Sequence, residues 1–253
     1  MRVRLKFISD KNNITLPVHY NYLLQGFIYD HLSDFLRDKI HNEGYNFEKK
    51  IFRFFTFSKI FGKFDIVENN IIFNREIYFW ISSPINDILN SFASHLIKQK
   101  NLKIGSEYLN LVSIEVPLEK KIKEDFNIKT LSPITTYTTL YGLNNKKKTY
   151  FYSPFEKEFS DFLEKNIKDK YFAFYGQKGE ENADDLKFEI KPLYVSKRNE
   201  HVIIYKKTVI KAWSGIYTIK GSPSLLKLAY EAGIGSKNSQ GFGMIEEYED
   251  NNE

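Results

Sequence analysis

The chain has 253 residues, 42% hydrophobic and 27% charged, which suits one large or two smaller globular domains and excludes a disordered protein. It has no cysteine, so a disulfide framework, a thiolate nucleophile and a cysteine-based zinc site are all excluded, and its five histidines (His19, His31, His41, His95, His201) are scattered without metal-ligand spacing. The net charge of +5 permits a polyanionic partner without requiring one, and no apolar run nears the ~18 residues of a membrane span.

Residues 2–9 alternate, with Val3, Leu5 and Phe7 on one face and Arg2, Arg4 and Lys6 on the other. That is the period of a half-buried strand. A start of this kind lacks the unbroken apolar core of a signal peptide, so a cytoplasmic protein is expected. The basic stripe is either a solvated outer face or a face that meets phosphates.

Beyond Leu16-Pro17, residues Leu24, Phe27, Ile28, Leu32 and Phe35 recur at helical spacing and predict a helix over 20–40, stopped by Asn42-Glu43-Gly44. His31 falls on its apolar face and reads as a packed side chain. Tyr29 lies off the stripe, where its hydroxyl reaches a surface. His41 falls at the helix end or in the loop beyond. The aromatic run 51–57 predicts a strand, and Glu68-Asn69-Asn70 a turn between strands 64–67 and 71–73. Residues 77–81 read as a buried strand. Ser83-Pro84 opens a helix with Ile85, Ile88, Leu89, Phe92, Leu96 and Ile97 on one face, and 109–116 is a closing strand. The order is that of a ferredoxin-like split βαβ domain over 1–118.

Charged residues 119–124 read as a linker, and a similar order follows over 125–253. It comprises a strand at 131–138, a loop with Lys146-Lys147-Lys148, a helix over 153–168 capped by Ser153 with Pro154 in its first turn, and strands at 186–195, 201–212 and 215–220. A helix then opens at Ser222-Pro223. The expected fold is α+β, two tandem ferredoxin-like (RRM-like) domains. The last helix feeds a loop, 233–243, that holds four of the thirteen glycines. A helix cap needs one glycine. The surplus, with Lys237 and the polar residues beside it, predicts a phosphate-contacting loop built from amide donors.

Two motifs carry a family resemblance. Gly235-x-Lys237-Asn238-Ser239-x-Gly241-Phe242-Gly243, closing a second ferredoxin-like domain, resembles the signature of the RAMP superfamily. Leu16-Pro17-x-x-Tyr20-Asn21-Tyr22-x-Leu24-Gln25-x-Phe27-Ile28-Tyr29 resembles the start of the CRISPR repeat-processing endoribonucleases of the Cas6 family. The resemblance implies an enzyme that binds precursor CRISPR RNA and cuts it within the repeat, with no metal or other cofactor. The substrate's own 2′-hydroxyl attacks the adjacent phosphate, leaving a 2′,3′-cyclic phosphate and a 5′-hydroxyl. It implies catalytic roles for Tyr29 and His41, with Arg53 where the family places a lysine, Lys49 and Lys50 close by as rivals, and His31 as a competing histidine. The implied RNA-binding set is Arg2 and Arg4 with Lys6, the loop residues Gly233, Gly235, Lys237, Asn238, Ser239, Gly241 and Gly243, and Lys206, Lys207 and Lys211. Beyond the RNA, implied partners are CRISPR effector-complex subunits and a second copy of the chain, with no membrane. The alternatives are a non-catalytic RAMP-type subunit that holds CRISPR RNA, and an α+β protein with no nucleic-acid role.

The chemistry fits these residue types. Cleavage needs a base for the 2′-hydroxyl, an acid for the leaving 5′-oxygen and positive charge for the oxyanion. Histidine titrates near neutrality, an unperturbed tyrosine at about 10 is a poor base, and arginine offers a fork that suits a phosphorane. One distance stands against the assignment. A straight helix rising ~1.5 Å per residue separates Tyr29 from His41 by about 18 Å, so the two share a site only if the chain folds back between them.

Overall fold

The computed structural model describes residues 1–118, 121–141, 147–176 and 185–249. The first half contains β1 (Arg2–Pro17), α1 (Asn21–Asp30), α2 (Asp34–Asp38), β2 (Tyr45–Phe47), β3 (Lys50–Phe52), β4 (Thr56–Phe57), β5 (Phe64–Val67), β6 (Asn70–Ser82), α3 (Asn86–Lys98), β7 (Leu102–Ile104) and β8 (Glu107–Glu115). Its main sheet runs β4-β6-β1-β8-β7, with β5 paired to β6. The ferredoxin-like strands are β1, β4, β6 and β8, with β1 and β6 in the middle. The alternation in β1 does what its period requires. Val3, Leu5 and Phe7 are buried, with Phe7 stacked on Phe79 at 5.6 Å and Phe27 of α1 edge-on to it at 5.8 Å.

The second half contains β9 (Asp125–Thr130), β10 (Tyr137–Tyr141), β11 (Lys147–Phe151), α4 (Lys157–Tyr175), β12 (Phe188–Tyr194), β13 (Glu200–Tyr205), β14 (Thr208–Trp213), β15 (Ile216–Gly221), α5 (Pro223–Ala232) and β16 (Ile245–Glu247). Its four-stranded sheet runs β12-β15-β9-β16. This is the same antiparallel order as in the first half, packed under α4 and α5. The chain is therefore α+β with tandem ferredoxin-like domains.

Several expected elements differ. The helix expected over 20–40 is two helices and a π-helical turn (Lys39–Glu43), because the chain leaves α1 at His31 and re-enters at Ser33, which caps α2 by accepting from Leu36 N at 3.4 Å. The strand expected at 51–57 is broken by Phe54, whose φ of 47° turns its ring into the core of the second half. The central strand of the second sheet is β9, not 131–138, since Phe126 and Ile128 supply the alternation there. Lys147 and Lys148 lie in β11 and not in a loop, while Lys146 is outside the described residues. The helix expected over 153–168 starts at Lys157, after a turn in which Glu156 binds the Ser153 amide at 2.6 Å, and continues to Tyr175. Residues 201–212 form a hairpin and not a single strand, turning at Lys206-Lys207 with Lys206 left-handed at φ 55°. On α3, Ile97 is 70% exposed and lies off the apolar face on which it was expected. Among the described residues no helix is long and apolar enough to cross a membrane.

The two halves are fastened together by charge as well as by Phe54. The Arg2 guanidinium is buried between them. It donates to Glu246 at 2.9 Å and to the carbonyls of Tyr230 and Ile245 at 2.8 Å each, and lies 3.7 Å above the Tyr230 ring. Met1 N reaches Glu231 at 2.9 Å.

Candidate active site

The break after α1 brings Tyr29 and His41 together. Because α2 and the π-helical turn double back, the two rings meet edge to face with centroids 5.4 Å apart. Tyr29 is also held edge-on by Phe55 at 5.5 Å. Arg53, in the irregular segment between β3 and β4, donates from Nη2 to the His41 carbonyl at 3.3 Å. His41 itself is exposed, and its Nδ1 lies 2.8 Å from Asn42 Oδ1. Tyr29, His41 and Arg53 thus form one cluster drawn from three separate turns of chain.

Electrostatics separates their roles. Burial pushes the Tyr29 phenol up to about 12, and the nearby Arg53 only partly opposes that. A neutral phenol beside an exposed imidazole can donate a proton or a hydrogen bond, and is not a base near neutrality. The rival candidates are already engaged. Lys50 Nζ is paired with Asp169 of α4. His31 is buried, with Nδ1 2.7 Å from the Phe27 carbonyl and Nε2 3.0 Å from Gln99 Oε1, so both nitrogens are occupied within the fold.

A cleft of about 390 Å³ beside the cluster is lined by Tyr29, His41, Asn42 and Gln25, and on its far side by Lys206. Lys206 arrives there because the β13–β14 hairpin leans across onto α1. The Tyr205 phenol donates to Gln25 Oε1, and Ile204 N to His19 Nδ1 at 3.3 Å. Lys207 is exposed next to it in the turn, whereas Lys211 is paired with Glu200 at 3.0 Å.

The glycine loop is packed into the fold. Gly233, Gly235, Gly241 and Gly243 are buried and have positive φ, from 75° to 86°. A Cβ on Gly241 would stand 2.4 Å from the Phe57 ring, and one on Gly243 1.9 Å from the Ile234 carbonyl. These glycines permit close packing of protein on protein. Asn238 works inward too, donating to the Ile234 and Phe242 carbonyls at 3.1 and 3.0 Å. The residues of the N-terminal motif grip the loop from outside. Asn21 donates to the Gln240 carbonyl at 2.9 Å and Gln25 to the Ser239 carbonyl at 2.6 Å. Lys237 and Ser239 remain at the edge of a second cleft, of about 430 Å³, between the loop and the segment carrying Arg53.

The basic stripe of β1 is engaged within the fold as well. Arg2 is buried in the joint described above. Arg4 pairs with Glu115 at 3.2 Å and lies 4.3 Å over the Tyr78 ring, and Lys6 pairs with Glu76 at 2.9 Å. Acids on neighbouring strands balance the stripe.

One functional-looking side chain was missed from sequence. Lys170 of α4 is 2% exposed and donates to the carbonyls of Gly233 and Gly235 at 2.7 and 2.9 Å, holding the glycine loop from below. Burial, with Lys50 nearby, lowers its pKa to about 7. The signal was available: Phe159, Leu163, Asn166, Ile167 and Lys170 share one buried stripe, and a lysine and an asparagine on an apolar stripe need a reason.

A family model described as CRISPR associated protein Cas6, C-terminal, matches residues 117–247, and one described as CRISPR-associated protein Cas6, N-terminal, matches 15–115. A CRISPR-associated endoribonuclease Cas6 of Methanocaldococcus jannaschii is 31% identical over 100% of this chain and 95% of its own length. Another, from Pyrococcus furiosus, is 27% identical over 97% of this chain and 89% of its own. The solved structure of a Cas6-related protein from Pyrococcus furiosus superposes with a TM-score of 0.85 at 26% identity, covering 99% of each chain.

Proposed function

Because the chain belongs to the Cas6 family of CRISPR-associated proteins, we propose that it is a cytoplasmic, metal-independent endoribonuclease that binds precursor CRISPR RNA and cuts it within the repeat. The observation that carries this reading is the meeting of Tyr29, His41 and Arg53, which a straight helix would have kept apart. In the reaction the 2′-oxygen at the cut attacks phosphorus as its proton leaves to a base, the bond to the 5′-oxygen breaks, and that oxygen takes a proton from an acid. His41 is assigned one of these two proton transfers. Tyr29, protonated and buried, orients the 2′-hydroxyl or supplies the acid. Arg53 meets the charge that builds on the phosphorane oxygens. Lys206, Lys207 and Lys237 flank the cluster and supply phosphate contacts. The same reading makes CRISPR effector subunits the receivers of the cut RNA and leaves self-association to be measured.

The test is labelled repeat RNA incubated in EDTA with the wild-type protein and with His41→Ala, alongside a substrate carrying 2′-deoxyribose at the cut. The expected result is cleavage in EDTA by the wild type alone, and none of the deoxy substrate. Cleavage of the deoxy substrate would rule out the 2′-hydroxyl mechanism. Salt-sensitive binding without any product would instead favour a non-catalytic RAMP-type subunit.

A further inference from the structure

We propose that the cleft between the glycine loop and the Arg53 segment is a nucleobase pocket, which takes an amino-bearing base from a nucleotide flanking the cut through the carboxamides of Asn166 and Gln240. This rests on the reading above and assigns the part of the RNA that enters this cleft. Its volume of about 430 Å³ is that of a small-ligand site. Asn166 is only 9% exposed, and its Oδ1 has no hydrogen-bond partner among the described residues; Gln240 Oε1, in the same cleft, has none either. Buried acceptors without donors are rare in native proteins, and two in one cleft mark a place where a ligand's donors belong. Lys170 does not serve them, because it is spent on the Gly233 and Gly235 carbonyls.

The chemistry selects the ligand and its orientation. Both unpartnered atoms are oxygens, which accept and so call for a ligand's donor, whereas a phosphate is anionic, only accepts hydrogen bonds, and is drawn to Arg53 and Lys237 at the rim. A base edge carrying an exocyclic amino group donates, as guanine, adenine and cytosine do. The nucleotide therefore sits base inward and phosphate outward. The half-buried rings of Tyr137 and Phe162 offer flat walls for it. Arg53 lines this cleft and also binds the His41 carbonyl, so the nucleotide lodged here is one adjoining the phosphate at the Tyr29–His41 cluster.

The experiment steps a single abasic nucleotide through the three positions on each side of the cut, in repeat RNA made uncleavable by 2′-deoxyribose at the cut. Affinity is measured for wild type, Asn166→Leu and Gln240→Met. One abasic position should cost the wild type about tenfold in affinity, and substituting a base that lacks the exocyclic amino group (inosine for guanosine or adenosine, uridine for cytidine) should reproduce most of the loss. The variants should bind unmodified RNA about tenfold more weakly, yet bind the abasic RNA as the wild type does. If no abasic position weakens wild-type binding, if that substitution is neutral, or if the variant and abasic losses add, the pocket assignment falls. Cutting of unmodified, cleavable repeat by the wild type is scored separately. Cutting with no base effect overturns the pocket and leaves the endoribonuclease, whereas base-selective binding without cutting does the reverse.

Discussion

His41 and Tyr29 share a site because each is held by something other than the partner. Phe55 fixes the phenol edge-on, and Arg53 pins the backbone that carries the imidazole. Removing the imidazole in His41→Ala should lower the single-turnover cleavage rate by about 10²- to 10⁴-fold, the usual worth of a positioned acid or base. Repeat affinity should stay within about twofold. The Tyr29 phenol, raised by burial to about 12, keeps its proton throughout the range from acid to mildly alkaline pH. Tyr29→Phe should therefore lower the pH–rate profile without moving its limbs between pH 5 and 9; a limb lost in the variant would show that the phenol titrates in that range. Lys170 gives the opposite kind of pH effect. Its folded pKa of about 7 lies below the ordinary 10.5, so between those values the unfolded chain holds a proton that the folded chain has released. Stability then rises with pH from about 7 towards 10.5 and is unaffected by this group below that window. Denaturant unfolding at pH 6, 8 and 9 should show that rise in the wild type and a flatter dependence in Lys170→Met.

At the scale of elements, the α1–α2 break is what lets the Tyr29 and His41 rings meet. Its mark in the sequence is Ser33-Asp34, a cap followed by an acid in the first turn. In the sequence the apolar spacing runs on to Phe35, so periodicity alone predicted one helix, but only Leu24, Phe27, Ile28 and Leu32 reach the core, and Phe35, beyond the break, is exposed. Ser33→Ala should cost about 1 kcal/mol in denaturant unfolding and reduce cleavage several-fold, since α2 delivers His41, while repeat binding is unchanged. The glycine loop was legible as special but not as to its use. Positive φ at four glycines follows from their clustering. That Phe57 and the Ile234 carbonyl occupy the space at Gly241 and Gly243 depends on a packing partner from elsewhere in the chain.

Over the whole molecule, sequence-distant charges divide into those that join the halves and those that face the clefts. Arg2 belongs to the first group, and Arg2→Ala should destabilise the fold by about 3 kcal/mol, because it removes an ion pair from Glu246 and the donor to two carbonyls in a buried joint. The salt dependence of repeat binding should not change. Lys206→Ala and Lys237→Ala should behave in the converse way, each reducing the slope of log affinity against log salt by about one with stability nearly intact. Measuring both quantities on all three variants tests the division.

Local pattern was enough to establish the class of this protein. Alternation in β1, the stripe on α3, the repeated strand–helix order and the paired motifs are all properties of neighbouring residues, and they led to two ferredoxin-like domains and to the family. Tyr29, His41 and Arg53 could be nominated in the same way. Whether they meet could not be read locally, because it depends on a chain reversal at Ser33 and on Phe54 turning out of line, each decided by what distant residues leave room for. The same holds for Arg2, which alternates like a surface residue and is buried only because β16 and α5 close over it. Periodicity records which face of an element is apolar. Only the tertiary structure supplies the second surface, and with it the partners that make a charge a fastening, a glycine a contact and a tyrosine a buried neighbour of a histidine.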